Sequence, residues 1–197
     1  MSGPQPQVLR SLEEQRAEYA RRRGLAMPLA GLAVWTLIGV AGAFLPPILA
    51  VWSLFIGAGF IAYLGIMLSR FTGENFLDKN KPKNVFDSLF FHCVSTALLV
   101  YAIAIPFFRA DYTSLPLTVG ILAGLMWVPH SWIIQHWVGI FHTVARTALV
   151  TAAWYLAPHH RFVVIPAVIV GVYGVTIVIQ EQRWRALKSS IATAATA

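Results

Sequence analysis

Six stretches of roughly twenty mostly apolar residues, joined by short connections, take up most of this 197-residue chain. At about 1.5 Å of helical rise per residue, about twenty such residues span the ~30 Å hydrocarbon core of a bilayer. Each stretch is therefore long enough to cross a membrane. A chain that is 57% hydrophobic and only 12% charged carries about half the charge expected of a soluble domain, so lipid is the expected surroundings. The expected fold class is all-α: an integral membrane bundle of six transmembrane helices.

The spans read as 25–44, 48–70, 85–108, 114–135, 138–157 and 162–181. Together they make a transmembrane domain over 25–182, preceded by a basic segment (1–24) and followed by a tail (183–197). In the first segment Leu9, Leu12, Ala17 and Tyr19 alternate with Arg10, Glu13, Glu14 and Arg16. This is a weak amphipathic helix, read either as a solvated lead-in or as a helix lying on an anionic leaflet. Its polar length and the longer apolar run behind it do not fit a cleaved signal, so the first span is expected to stay attached. Pro46, Pro47 and Pro158 punctuate the spans, and Pro129 should kink the fourth by removing a backbone donor. Spans four and five meet at His136 with neither glycine nor proline between Pro129 and Gly139. A turn there and one continuous helix are both open at this point.

Charge sets the expected orientation. With the N-terminus inside, the tails and the 70–83 loop hold twelve Lys and Arg residues, against Arg109 and Arg161 outside. That asymmetry puts both termini in the cytoplasm of a bacterial-type inner (plasma) membrane. It also accounts for the net charge of +7 without a nucleic-acid partner, because no folded basic face with interleaved aromatics is present. Trp52, Tyr112, Trp137, Trp154, Tyr155 and Trp184 gather toward span ends, as interfacial belts do. Gly120 and Gly124, Gly57 and Gly59, and Gly171 and Gly174 would let helices approach closely. Cys93, the single cysteine, is a small packing residue.

Ionisable groups inside a membrane are costly, roughly 2.5–3.5 kcal/mol each at a helix centre, and so are counted singly. Ser88, His92, Ser95 and Thr96 share one face of span three. Ser131, Gln135, His142 and Arg146 share a narrower arc if spans four and five are continuous. Measured from the cytoplasmic side, His92, His130, His142 and Arg146 fall at depths of about 10, 8, 6 and 12 Å, with Asp87 near the mouth of span three as a counter-charge for Arg146 or a histidine. These positions predict a cytoplasm-facing pocket of spans three, four and five, with Arg146 as an anion clamp and His92 and His142 as proton carriers. The competing reading is structural: an Arg stem snorkelling to the interface, and polar side chains bonded within their own helices.

No HExxH, GxSxG or phosphate-cradling glycine loop occurs, and no cofactor is expected. The favoured function is transport or binding of a small polar or anionic solute or an ion. One alternative is a membrane enzyme acting on lipid, quinone, or a haem or metal held by His92, His130, His136 and His142. Another is an accessory subunit that packs as a homo-oligomer or on a membrane partner.

Gly31 to Trp35, Leu54-Phe55-Ile56-Gly57, Leu64-Gly65, Leu68-Ser69 and Asn84 together resemble a family of small bacterial multi-pass membrane proteins known only as a domain of unknown function. The resemblance covers about residues 20 to 157. It implies a helical membrane bundle and carries no activity with it.

Overall fold

A computed structural model describes residues 10–78 and 80–194. Leu9, Lys79 and the last three residues of the tail lie outside the described residues. The described chain is helical, with no strand: α1 (Leu12–Ala20), α2 (Ala26–Phe44), α3 (Pro47–Ser69), α4 (Val85–Leu99), α5 (Tyr101–Ala110), a short 3-10 turn (Tyr112–Ser114), α6 (Leu115–Leu122), α7 (Trp127–Ile134), α8 (Val138–Leu156) and α9 (Arg161–Ala194). The third expected span is α4 and α5 in series, and the fourth is α6 and α7 in series.

Among the described residues five segments, not six, are long and apolar enough to cross a membrane: Ala26–Phe44, Pro47–Ser69, Val85–Ala110, Tyr112–Ile134 and Arg161–Ser190. The expected fifth crossing forms the 19-residue helix α8, but His142, Arg146 and three threonines dilute its apolar content. Its height matches that of its neighbours. The N–H of Ile140 donates to Ser131 Oγ of α7 at 3.3 Å. At the other end Arg161 donates both to the Trp154 carbonyl at 3.4 Å and to Thr113, at the start of the fourth span, at 2.7 Å. So α8 runs alongside the whole of the α6–α7 unit.

The core forms where α2 and α9 pack side by side, flanked by α3, α6 and α8. Val34, Trp35, Ile38, Leu54, Leu115, Val119, Val150, Ile165, Ile169 and Tyr173 meet there. Among apolar surroundings such contacts hold helices together by close packing rather than by expulsion of water. Gly31 shows what closeness requires: a Cβ there would occupy the space of the Tyr173 ring. Not every glycine works this way. Gly59, Gly171 and Gly174 have no neighbouring atom within 4 Å of a would-be Cβ, so the expected close approach at those positions does not occur.

The basic segments converge at one end of the bundle. α1 opens with a capping box of Ser11 and Glu14 and buries Tyr19 against Phe86, Phe90 and His130. It is stitched to the start of α4: Asn84 Nδ2 donates to the Gln15 carbonyl at 2.7 Å, and the Val85 N–H donates to Gln15 Oε1 at 3.0 Å. Arg22 forms a two-pronged pair with Asp87, one prong at 2.9 Å. Burial works against the Arg22 charge, and the hydrogen bond and charge of Asp87 more than offset it, holding the guanidinium pKa above its ordinary value. Glu74, from the α3–α4 connection, accepts from Leu25 N–H at 2.8 Å and Ala26 N–H at 2.9 Å. A carboxylate thus caps the start of α2, where unpaired N–H groups and the helix dipole favour it. At the opposite end, bonds from Thr113, with burial opposing and Arg161 assisting, hold the Asp111 carboxyl below the usual range.

The Arg22–Asp87 pair is half-buried, so its loss should cost about 1–2 kcal/mol, between the ranges for exposed and fully buried pairs. Asp87→Asn is expected to lower the melting temperature in detergent by a few degrees. The exchange of Arg22→Asp with Asp87→Arg should recover most of that loss; equal melting of the single and double variants would show that the pair does not hold α4.

Candidate functional site

The site begins with a helix break. Pro129 has no N–H for the carbonyl four residues back, and its ring crowds that turn. The break expected at Pro129 is present: residues 123–126 form turns between α6 and α7. There Gly124 N–H bonds the Ile121 carbonyl at 2.9 Å, one residue short of the α-helical pattern. The Gly120 carbonyl is released from its helical partner as a result.

Two side chains of α8 use the exposed backbone. Arg146 Nε donates to the Gly120 carbonyl at 2.5 Å, and Thr143 Oγ1 donates to the Gly124 carbonyl at 3.1 Å. Gly124 also makes room, since a Cβ there would lie 2.9 Å from Arg146 Cδ. The Gly120–Gly124 pair therefore faces inward onto α8 and α9, and is not a lipid-facing dimer surface.

Arg146 is 1% exposed. Its Nη1 donates to the Tyr173 hydroxyl at 3.2 Å, and its guanidinium lies 5.3 Å from the Trp35 ring centre and 5.5 Å from that of Tyr173. Ion pairs are formed by Arg10, Arg22, Arg23, Arg161 and Arg185; among the described residues no carboxylate reaches Arg146. Its Nη2 has no hydrogen-bond partner, and neither does the buried Trp35 Nε1. Both residues line a cavity of about 300 Å³ that also touches Tyr101, Trp127 and Tyr173. Guanidinium and indole N–H groups donate only. Two residues of the cavity wall thus each keep a donor without a partner, one of them a cation, and among the described residues Arg146 is the one charged residue there.

From Arg146 a buried polar row follows α9. Tyr173, Thr176 and Gln180 stand three and four residues apart on one helix face, and each meets a side chain from α7 or α8. Tyr173 meets Arg146. Thr176 meets His142, at 2.8 Å from its Nδ1. Because the Thr176 hydroxyl already donates to the Val172 carbonyl, His142 Nδ1 carries the proton, and Nε2 is left as an acceptor without a partner. The ring stacks on Trp127 at 4.5 Å between centres. Gln180 Nε2 lies 3.1 Å from His130 Nε2, leaving Gln180 Oε1 and His130 Nδ1 unpartnered. That last rung borders a smaller cavity of about 30 Å³, lined also by Arg22, Glu74 and Arg183 at the basic end of the bundle. Met27, Met126 and Trp127 border both cavities.

The chain belongs to DUF7010, a family of unknown function, whose family model matches residues 12–182. That match takes in α1 through most of α9, and so every residue of the row. Neither the curated proteins nor the solved structures include a match to it.

Of the residues picked from the sequence, Arg146, His142 and His130 lie along this one buried row. The other candidates are placed elsewhere. His92 is exposed, its Nδ1 bonded to the Ser88 carbonyl one turn back at 2.6 Å, so it stands apart from Arg146, although Ser95 of the same face borders the cavity. Asp87 pairs with Arg22 rather than with Arg146 or a histidine. Ser131 and Gln135 build the turn between α7 and α8. Gln135 takes a left-handed backbone (φ 52°) and donates from its amide to the Trp132 carbonyl; the Ser131 hydroxyl donates to the His136 carbonyl. One continuous helix through His136 is thereby excluded. Among the described residues no group of three or more His, Cys, Asp or Glu is placed to hold a metal ion.

The aromatic and polar partners Trp35, Trp127, Tyr173, Thr176 and Gln180 went unrecognised in the sequence. A signal existed for some of them: Trp35 stands mid-span rather than at an interface, and Tyr173, Thr176 and Gln180 share one helix face.

If Gly124 makes room for Arg146, Gly124→Ala should cost about 1–3 kcal/mol through overpacking. Gly59→Ala, at a position with open space, should be neutral or slightly stabilising. Melting of both variants in detergent tests this, and equal stability would show that Arg146 is not held against Gly124.

Proposed function

We propose that this protein binds a small anionic molecule inside the membrane, with Arg146 as the clamp and Trp35 Nε1 as a second donor. One observation carries the reading: a fully buried guanidinium on the wall of a cavity, with no counter-charge among the described residues and with Nη2 left without a hydrogen-bond partner. Burying an unpaired charge costs several kcal/mol, and an anion at Nη2 offsets that cost with charge-assisted hydrogen bonds.

In this reading α8 crosses the membrane with the five more apolar segments. Its length equals that of α2, and its polar residues point inward, where other helices satisfy them. Six crossings return both chain ends to one side. The basic clusters gathered around α1, the α3–α4 connection and the end of α9 make that side cytoplasmic by the positive-inside rule. Transport of the bound anion is the second reading. The buried row of Tyr173, Thr176 and Gln180 favours it, since it leads from the cavity to the basic end over about 10 Å of helix.

A titration of the purified protein in micelles with benzoate, followed by tryptophan fluorescence, tests the clamp. Loss of a charged hydrogen bond is worth about 1.5–3 kcal/mol, so Arg146→Gln should weaken binding by roughly 10- to 150-fold while the helix content stays unchanged. Thr113→Val, at the far end of the bundle, should bind as the unaltered protein does. Benzoate binding that survives Arg146→Gln would remove Arg146 from the role of clamp.

A further inference from the structure

We propose that the anion is the head of a single-chain monocarboxylate amphiphile, and that it reaches Arg146 sideways from the bilayer between α3 and α4. This rests on the clamp proposed above and adds the class of ligand and its route.

The cavity wall is mostly apolar, with Ser95 and tyrosines beside its single cation. Arg146 and Trp35, each 1% exposed, form its buried end. The outer wall is Ala58, Gly59 and Ala62 of α3 opposite Phe91, Val94 and Leu98 of α4. This wall is thin. Nothing lies within 4 Å of a Cβ built on Gly59, and α3 and α4 do not share a packed interface: α3 packs on α2 and α6, whereas α4 packs on α1, α5 and α7. The flanking Phe60, Tyr63 and Leu98 are 52%, 70% and 66% exposed, on a surface that faces lipid when the bundle is in a membrane. A ligand leaving Arg146 through this gap enters hydrocarbon rather than water.

Size and charge narrow the class. A cavity of about 300 Å³ is about twice the ~150 Å³ that accepts benzene in an engineered apolar site. It holds the first part of an alkyl or aryl chain, with the remainder passing between α3 and α4. One cation on the wall matches one negative charge. A dianionic phosphate would bring a second charge into an apolar cavity with no second basic residue to meet it, at the cost of burying an unpaired ion. Arg146 Nε is occupied by Gly120 and one N–H of Nη1 by Tyr173, so the donors left for a ligand are those of Nη2 and the second N–H of Nη1. These N–H groups lie in one plane, which suits the planar two-oxygen carboxylate.

The test uses the full chain in phosphatidylcholine nanodiscs and a diazirine-bearing palmitic acid, with labelled sites mapped by peptide mass spectrometry. Labelling should concentrate on the α3 and α4 residues of the cavity wall and fall at least tenfold with the methyl ester of the same probe. It should fall at least tenfold in Arg146→Gln. It should also fall in Ala62→Phe, which fills the outer cavity without touching Arg146, so the proposal stands or falls even if Arg146→Gln is poorly folded. Equal labelling by acid and ester, or labelling unchanged in Ala62→Phe, would overturn the proposal, since it would mean that the probe reports the lipid-facing surface alone. Arg146-dependent benzoate binding without palmitate labelling would refute the amphiphile and keep the clamp; failure of both would refute both.

Discussion

The hydrogen bond from Arg146 to the carbonyl of Gly120 joins the local chemistry of one helix to the arrangement of the whole bundle. It exists because Pro129 spoils the regular pattern one turn downstream and Gly124 shifts its own N–H to Ile121. A guanidinium needs acceptors, and an apolar interior offers few except backbone carbonyls freed in this way. Arg146 in turn fixes Tyr173 through Nη1, and the hydroxyl end of the Tyr173 ring occupies the space that Gly31 leaves. Helices α2, α6, α8 and α9 are thus tied together around one buried charge. What remains unsatisfied is Nη2, on a residue of the cavity wall.

The rest of the architecture keeps that cavity in being. α3 leans on α2, while α4 is fastened at its start by Gln15, Asn84 and the Arg22–Asp87 pair and receives little support from α3. A helix held at one end by polar contacts and left free along its length leaves a gap beside it. The short helix α1 is therefore part of the cavity's construction, even though it never touches the wall. The same end of the bundle carries the last rung of the polar row, His130 with Gln180, so the basic surface and the buried charge are linked through α9.

Much of this was legible in the sequence, and the reasons differ from residue to residue. The apolar runs and their proline punctuation gave the helices, because hydrocarbon thickness leaves little choice of length. Arg146, His142 and His130 stood out because ionisable groups in apolar stretches are few. Depth along a helix is readable from residue number; the direction a face turns is not. His92 shared its depth with Arg146 and yet faces outward. Asp87 was recognised as a counter-charge, but its partner comes from the N-terminal segment, a pairing that depends on how α1 folds back. Gln135 ended a helix in a left-handed conformation that usually selects glycine, and so gave no turn signal. Trp35 and Trp127 were hidden by their own apolarity, since a buried indole and a lipid-facing one look alike in a hydrophobic run. The dilution that removes α8 from the plainly apolar spans is the same feature that makes the site.

The most direct measurement is the distance between the guanidinium of Arg146 and the carboxylate of a bound fatty acid. Solid-state NMR of arginine-15N protein in bilayers, with palmitate labelled with 13C at the carboxyl, reads it as a dipolar coupling. A carboxylate seated on the Nη1–Nη2 edge predicts one coupled arginine at about 4 Å or less, with the coupling lost in Arg146→Gln. No coupling at saturating palmitate, or a coupling that persists without Arg146, would contradict a fatty-acid site built on this residue.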